Sequence, residues 1–538
     1  MAELTVYNSV LANGELTTRR ATVAASSTVV YFFYIDSADG ELKYKKSSDG
    51  GANVGSAVAV SATSTVHAFD LWFDKWTPGN TGTLIHIAYN DQDADDCFYD
   101  QLDVSDDSLT GRVAAFASTA FNAGNDGLSN TFCSITRAQG GNLYIVGSGD
   151  SQLAGPSWFV RSTDGGANWG NRTSPIEGAS SDQELLLPGN TSDTQDIACI
   201  YWDADADALS VKMHDDSANS WTETSIATSI VDQAVSLTHQ LNASIRHSDK
   251  HLIVVVHTNV DPNAHSINAY DVNPNVISSV PVSTLTQLDN SVDDAAGVAV
   301  CINQNNNDIY VATIGLNDGS QTYGGSVDIY YQVSTDDGST WGGQVQVSTT
   351  RDDHRAVWAD LGTPNGLFLP FWHNDDLNDV LTDSAKGVAL TITAALTGTI
   401  TASVNESDIV TGGKTLIITL TGGIWIAAGA GSFDLQRDEI IAGCDSAQSE
   451  LTGWDLVPKA TQSLGGVVRT SDTVVTITWD AFATYDITAQ ETITVIVPST
   501  ALVGGFANVT ATPTFTISTA GGTVVKDIIS FGLIVFPR

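Results

Sequence analysis

The chain has 538 residues, 42% of them hydrophobic and 16% charged, with 47 glycines. That length exceeds one ordinary core unless a repeat absorbs it, and the composition is that of a folded protein rather than a disordered one. With 62 acidic against 22 basic residues, the formal charge of −40 repels a phosphate backbone or an anionic membrane surface, and no run of apolar residues is long enough for a spanning helix. Nucleic acid and membrane insertion are therefore excluded as expectations.

In chain order, the N-terminal residues show no basic stretch followed by an apolar one, so no export leader is expected. A strand, Leu4 to Leu11, precedes the first repeat. One feature then recurs seven times: an apolar strand ending in Asp at a turn, at Asp36, Asp91, Asp150, Asp203, Asp261, Asp318 and Asp375. Successive copies lie 53 to 59 residues apart, with a mean of 56.5. Room for four short strands in each unit predicts the blades of a β-propeller, because a single four-stranded sheet buries neither face until its neighbours stack on it. The seventh unit runs out after three strands, near Lys386, so the N-terminal strand is expected to complete it. The fold expected is all-β, a seven-bladed β-propeller over residues 1–388, with six blades as the alternative.

Three units carry Ser-x-Asp-x-Gly followed by an apolar residue. They are Ser47, Asp49, Gly51 and Val54; Ser162, Asp164, Gly166 and Trp169; and Ser334, Asp336, Gly338 and Trp341. A fourth, degenerate copy runs from Asp216 to Trp221. These motifs resemble the Asp-boxes (BNR repeats) of sialidase-like β-propellers. The residue types suit a hairpin in which Asp and Ser bind turn N–H groups, Gly takes a conformation that a Cβ opposes, and Trp packs between sheets. Their role is expected to be structural, on the face opposite the seven strand-end aspartates.

Ligand binding is expected on the strand-end face, where the innermost strands begin and bring Arg20, His67, Asn130, Glu184, Asn242, Asp294 and Arg355 to the mouth of the central channel. Trp72, Trp76, Trp202 and Trp372 lie near that rim in sequence and are candidates for stacking on sugars or for burial between blades. Two carboxylate runs, Asp91, Asp93, Asp95 and Asp203, Asp205, Asp207, are weak Ca²⁺ candidates; the second lacks the Gly and Glu of an EF-hand loop, and solvated turns are the preferred reading. No other cofactor is expected.

The sialidase resemblance implies three arginines on a carboxylate, an Asp acid/base and a Tyr nucleophile beside a Glu. Arg20, Asp36 and Arg355 are the matching candidates, but Arg20-Ala-Thr departs from the family's Arg-Ile-Pro, Arg246 falls near the opposite turn, and no Tyr/Glu pair stands out.

Residues 389–538 change to Thr/Val/Ile alternation with Gly/Asn/Asp breaks, the pattern of an immunoglobulin-like β-sandwich. One segment, Phe433 to Glu450, reads as a helix capped by Ser432. The runs beginning at Asp408, Asp445 and Arg469 resemble an Ig-like module of marine tailed-phage structural proteins. The five cysteines, Cys97, Cys133, Cys199, Cys301 and Cys444, lack C-x-x-C spacing and read as free thiols.

These features lead to the expectation of a non-catalytic, virion-associated fibre, spike or decoration protein, extracellular after lysis. Its propeller would meet a surface glycan or another virion subunit in a larger assembly or oligomer, and its sandwich would anchor it. An exo-sialidase-like glycoside hydrolase and a bacterial extracellular adhesion or scaffold protein are the alternatives.

Overall fold

The computed structural model describes residues 3–10, 18–60, 66–91, 96–117, 133–147, 158–172, 183–203, 206–231, 240–261, 264–288, 296–315 and 325–390, together with strands between 397 and 536. The chain divides into two units, Met1–Thr391 and Ile392–Arg538.

Seven four-stranded antiparallel sheets make the first unit a seven-bladed propeller. Their innermost strands are, in order, Thr22–Ala24, Val66–Phe73, Cys133–Arg137, Gln183–Pro188, Leu241–Ile245, Ala296–Ile302 and His354–Trp358. Blade 7 takes its outermost strand from the other end of the unit: Leu4–Asn8 pairs antiparallel with Asp379–Thr382. A strand in the middle of a blade has another blade against each of its faces, so it is apolar at consecutive positions rather than at alternate ones. Val30–Ile35 and Ile309–Ile314 are accordingly buried at every residue. The outermost strand of blade 4, Ser220–Thr228, has no fully buried residue.

The innermost strands are sheet edges, and their free N–H groups need acceptors. Polar side chains from the neighbouring blade supply them. Asp70 of blade 2 accepts from the N–H of Ile135 in blade 3 (2.9 Å), and the Ser134 hydroxyl accepts from Leu186 of blade 4 (3.0 Å). Asn242 of blade 5 accepts from Val300 of blade 6 (3.2 Å), and Asp360 of blade 7 from Ala24 of blade 1 (2.9 Å). Buried polar groups along the channel thus hold one blade to the next.

The three Ser-x-Asp-x-Gly hairpins share one geometry. In each, the Ser hydroxyl accepts the N–H of the Gly four residues on, at 2.8–2.9 Å, and the Asp accepts the N–H four residues beyond itself at the same distances. Gly51, Gly166 and Gly338 have φ of 86, 94 and 80°, the left-handed region that a side chain opposes. Each glycine also abuts the preceding blade. A Cβ on Gly51 would lie 2.6 Å from Leu369 of blade 7 and one on Gly338 2.7 Å from Leu285 of blade 5, while one on Gly166 would run into the Tyr99 ring of blade 2. These hairpins therefore dock blades 1, 3 and 6 onto blades 7, 2 and 5.

The degenerate copy behaves differently. Asp215, not Asp216, caps that turn, accepting from the Ala218 N–H. Asp216 instead reaches blade 3 and takes two hydrogen bonds from Arg161 (2.6 and 2.8 Å) and one from Tyr144 (2.8 Å). Without the glycine the hairpin is not closed by the shared pattern, and its carboxylate is left for an ionic link between blades.

In the second unit, Leu464–Ser471, Val474–Trp479, Lys414–Thr421, Thr510–Thr519 and Gly522–Asp527 form one antiparallel sheet, and Glu491–Pro498, Thr397–Val404 and Ile534–Phe536 another. The expected helix at 433–450 lies outside the described residues. Cys97, Cys133, Cys199 and Cys301 are buried free thiols, and Cys444 lies outside the described residues.

Candidate functional site

Five of the seven recurrent aspartates fall among the described residues, and each stands at or just past the end of its blade's second strand: Asp36, Asp91, Asp203, Asp261 and Asp375. Asp150 and Asp318 lie outside them, as do Asn130, Asp294, Asp93, Asp95 and Asp205. Three strand-end carboxylates are neutralised by a basic residue of their own blade. Asp36 pairs with Lys43 (2.8 Å), Asp91 with Arg112 (2.9 Å) and Asp375 with Arg355 (3.1 Å).

Arg20 is not a rim residue. Its guanidinium is 1% exposed in the channel, where it forks onto Asp70 at 2.9 and 2.6 Å, donates to the Ile135 carbonyl and lies 4.9 Å above the Trp72 ring. Its partners come from blades 2, 3 and 4, including the Leu186 carbonyl at 3.4 Å, so both atoms of its fork onto Asp70 are already taken. Glu184 and Asn242 are likewise buried, and Asn242 serves the blade 5 to blade 6 link described above. His67 is half-buried at a bulge between Val66 and Ala68 at the start of its strand.

Asp36 is 5% exposed and serves ring closure. It accepts from the Tyr7 hydroxyl (2.6 Å), which belongs to the N-terminal strand of blade 7, and from Lys43. Burial alone would raise its carboxyl, but the Lys43 and Tyr7 hydrogen bonds outweigh that and hold it below the usual carboxylate range. A carboxylate held ionised in this way is a poor proton donor. Burial and the same contact push the Tyr7 hydroxyl up to about 12, away from nucleophilic use.

Arg355 stands near the start of the inner strand of blade 7, His354–Trp358. Its side chain is 32% exposed and bridges Asp353 (2.8 Å) and Asp375 (3.1 Å). Asp375 sits above its ordinary value because it is partly buried and close to Asp353 and Asp376, with Arg355 opposing. Arg246 lies at the other end of its blade's inner strand, tied to Asp249 (2.6 Å) and Asp271 (2.8 Å). The three arginines are therefore separated, each with carboxylates of its own.

The four tryptophans are all buried: Trp72 and Trp372 at 0%, Trp76 at 1% and Trp202 at 2%. None offers a face to a sugar. Trp76 lies beyond the far end of its inner strand and closes the opposite mouth, donating to Asp360 (3.1 Å) while its carbonyl meets His247 of blade 5 (3.2 Å). Asp203 caps its own turn by accepting from the Ala206 N–H, and Asp207 is a turn residue with φ of 50°. Among the described residues no cluster of three His, Cys, Asp or Glu side chains is placed to hold a metal ion.

Sequence reasoning missed the basic partner of the strand-end aspartates and the acceptor role of Asp70, Ser134 and Asp360. Lys43 and Arg112 stand at different distances along the chain from their aspartates, so no spacing announces them. Asp70, inside the apolar run His-Ala-Phe-Asp-Leu-Trp-Phe, was the available signal, because a lone carboxylate in a buried strand demands a partner.

No known family profile matches the chain, and no curated protein matches it. Solved structures similar to it include a fungal alcohol oxidase in complex with copper, at 9% identity and TM-score 0.46 over 96% of this chain and 98% of that one. Kuenenia stuttgartiensis hydrazine synthase is similar at 12% and 0.41, over 70% and 96%. A Hadza microbial sialidase is similar at 12% and 0.35, over 66% and 75%. Likeness at this level assigns no activity to the chain.

Proposed function

We propose that the first unit is an Asp-box propeller that binds carbohydrate at its strand-end rim without hydrolysing it. The second unit is then an Ig-like sandwich that anchors or spaces it in a virion fibre, spike or decoration, or in an extracellular adhesive assembly. The observation that carries the non-catalytic part is the separation of Arg20, Arg246 and Arg355, each already matched by carboxylates. A sialic acid carboxylate would have to compete with those pairs, and Arg20 would first have to break a buried ion pair. The locked state of Asp36 supports the same reading. Glycan-array binding by the full chain, with no release of fluorophore from a sialoside, is the expected result. Turnover would overturn it.

A glycoside hydrolase is the second reading, favoured by the Asp353, Arg355 and Asp375 group. Two carboxylates share one guanidinium there, and partial burial raises Asp375, the direction a general acid needs. Hydrolysis of a sialoside, arabinan or β-1,3-galactan that is lost in Asp375→Asn while binding persists would establish it.

A further inference from the structure

Away from the rim, the outer edge of the propeller differs from one seam to the next. Between blades 2 and 3, Tyr99 is covered by the box of blade 3: Trp169 meets its ring edge-on at 5.1 Å, and Gly166 packs against it. Tyr44 holds the same position in blade 1. It stands three residues after Glu41, which pairs with Asp36 at the strand end, as Tyr99 stands three after Asp96, the partner of Asp91. Blade 2 has no box to lay over it. Its hairpin reads Asp103-Val-Ser-Asp-Asp107-Ser108, a tight turn with neither the glycine nor the tryptophan. A cleft of about 600 Å³ opens there, with Tyr44 in its floor.

The lining mixes polar and apolar groups. Lys46 is held to both Asp107 oxygens at 2.7 and 2.8 Å, and the side chains of this pair stay 32% and 41% exposed. Asn53 gives one amide hydrogen to Asp49 and is otherwise exposed. Val58, 39% exposed, is one of the few exposed large hydrophobic residues among those described, and it stands in this wall. A pyranose presents hydroxyls around its edge and C–H groups on its face, and such a ring needs convergent donors and acceptors beside an apolar patch. Lys46 against Asp49 and Asp107 leaves the cleft one negative charge, which disfavours acidic sugars.

The geometry points to this seam as a carbohydrate-binding cleft for neutral oligosaccharides, on the opposite side of the propeller from the rim and independent of it. Tyr44 is 3% exposed, as buried as Tyr99 at 2%, but at this seam the cleft is lined by Asp107 of the blade 2 turn where the next seam has a box.

Titration calorimetry of the full chain with maltotriose, cellotriose and β-1,4-galactobiose, and with sialyllactose as the acidic counter-probe, tests it. Saturable binding of at least one neutral sugar with a Kd on the order of 1 mM is expected. Ser56→Trp, which fills the cleft from an exposed position, and Lys46→Ala should each weaken that binding about tenfold, while Val276→Ala, at an exposed position outside the cleft, leaves it unchanged. Val58→Asp is a second blocking variant should Ser56→Trp alter the thermal midpoint. No saturable binding of any neutral sugar, no component of that binding lost in both blocking variants, or equal loss of sialyllactose binding in them would overturn the assignment.

Discussion

On the face carrying Asp49, Asp164 and Asp336, each carboxylate is satisfied within its own hairpin by groups no more than four residues away. On the face carrying Asp36, Asp91 and Asp375, each is satisfied by an amino or guanidinium group elsewhere in its blade. The first arrangement is local, so it repeats wherever the motif repeats and makes a fixed scaffold. The second is assembled by strand pairing and differs from blade to blade. Between the two faces lies the channel, where Arg20 and Asp70 are matched only across blades.

The sharpest way to break this division is to remove one partner in the channel. Asp70→Ala strands the Arg20 guanidinium with 1% exposure and removes the acceptor for Ile135, and it should cost about 3–5 kcal/mol in urea unfolding. A loss below about 1 kcal/mol would show that the channel pair does not hold the blades.

On the scaffold face, Gly166→Ala should cost about 2–4 kcal/mol, because both its φ and the Tyr99 ring oppose a Cβ. Its neighbour Gly165, with φ of 75° but nothing within 4 Å, should cost only about 1–2 kcal/mol as Ala. Equal losses would mean that docking onto blade 2 contributes nothing beyond backbone conformation.

The seam beside the N-terminal strand can be tested by pH. His373 is fully buried in blade 7 and neither ring nitrogen has a hydrogen-bond partner among the described residues. Burial first, then Arg355 and His354, lower it from 6.5 to about 3. The unfolded chain therefore takes up this proton first, and stability falls as pH drops below about 6.5 toward 3. Between pH 7 and 5 the loss should be about 2 kcal/mol, and His373→Phe should remove that part of the slope. His214 and His247, each lowered by burial to about 4, add losses of the same sign, while Asp100, raised by burial to about 6, opposes them. Thermal midpoints of the single variant against the parent isolate the one term, and parallel pH profiles would refute it.

The repeat of strand-end aspartates and the three Ser-x-Asp-x-Gly motifs made the propeller legible in the chain, because a hairpin's needs are met by residues next to one another in sequence. Blade count followed from spacing for the same reason. Rim membership did not follow, because whether Arg20 or Trp76 faces solvent depends on what another blade, 50 or 284 residues away, brings against it. The sequence by itself determined where strands begin and turn and which turns close themselves. Only the tertiary structure decided which charges meet, since pairing across blades is a property of the closed ring, and burial makes an unmatched charge there too costly to leave.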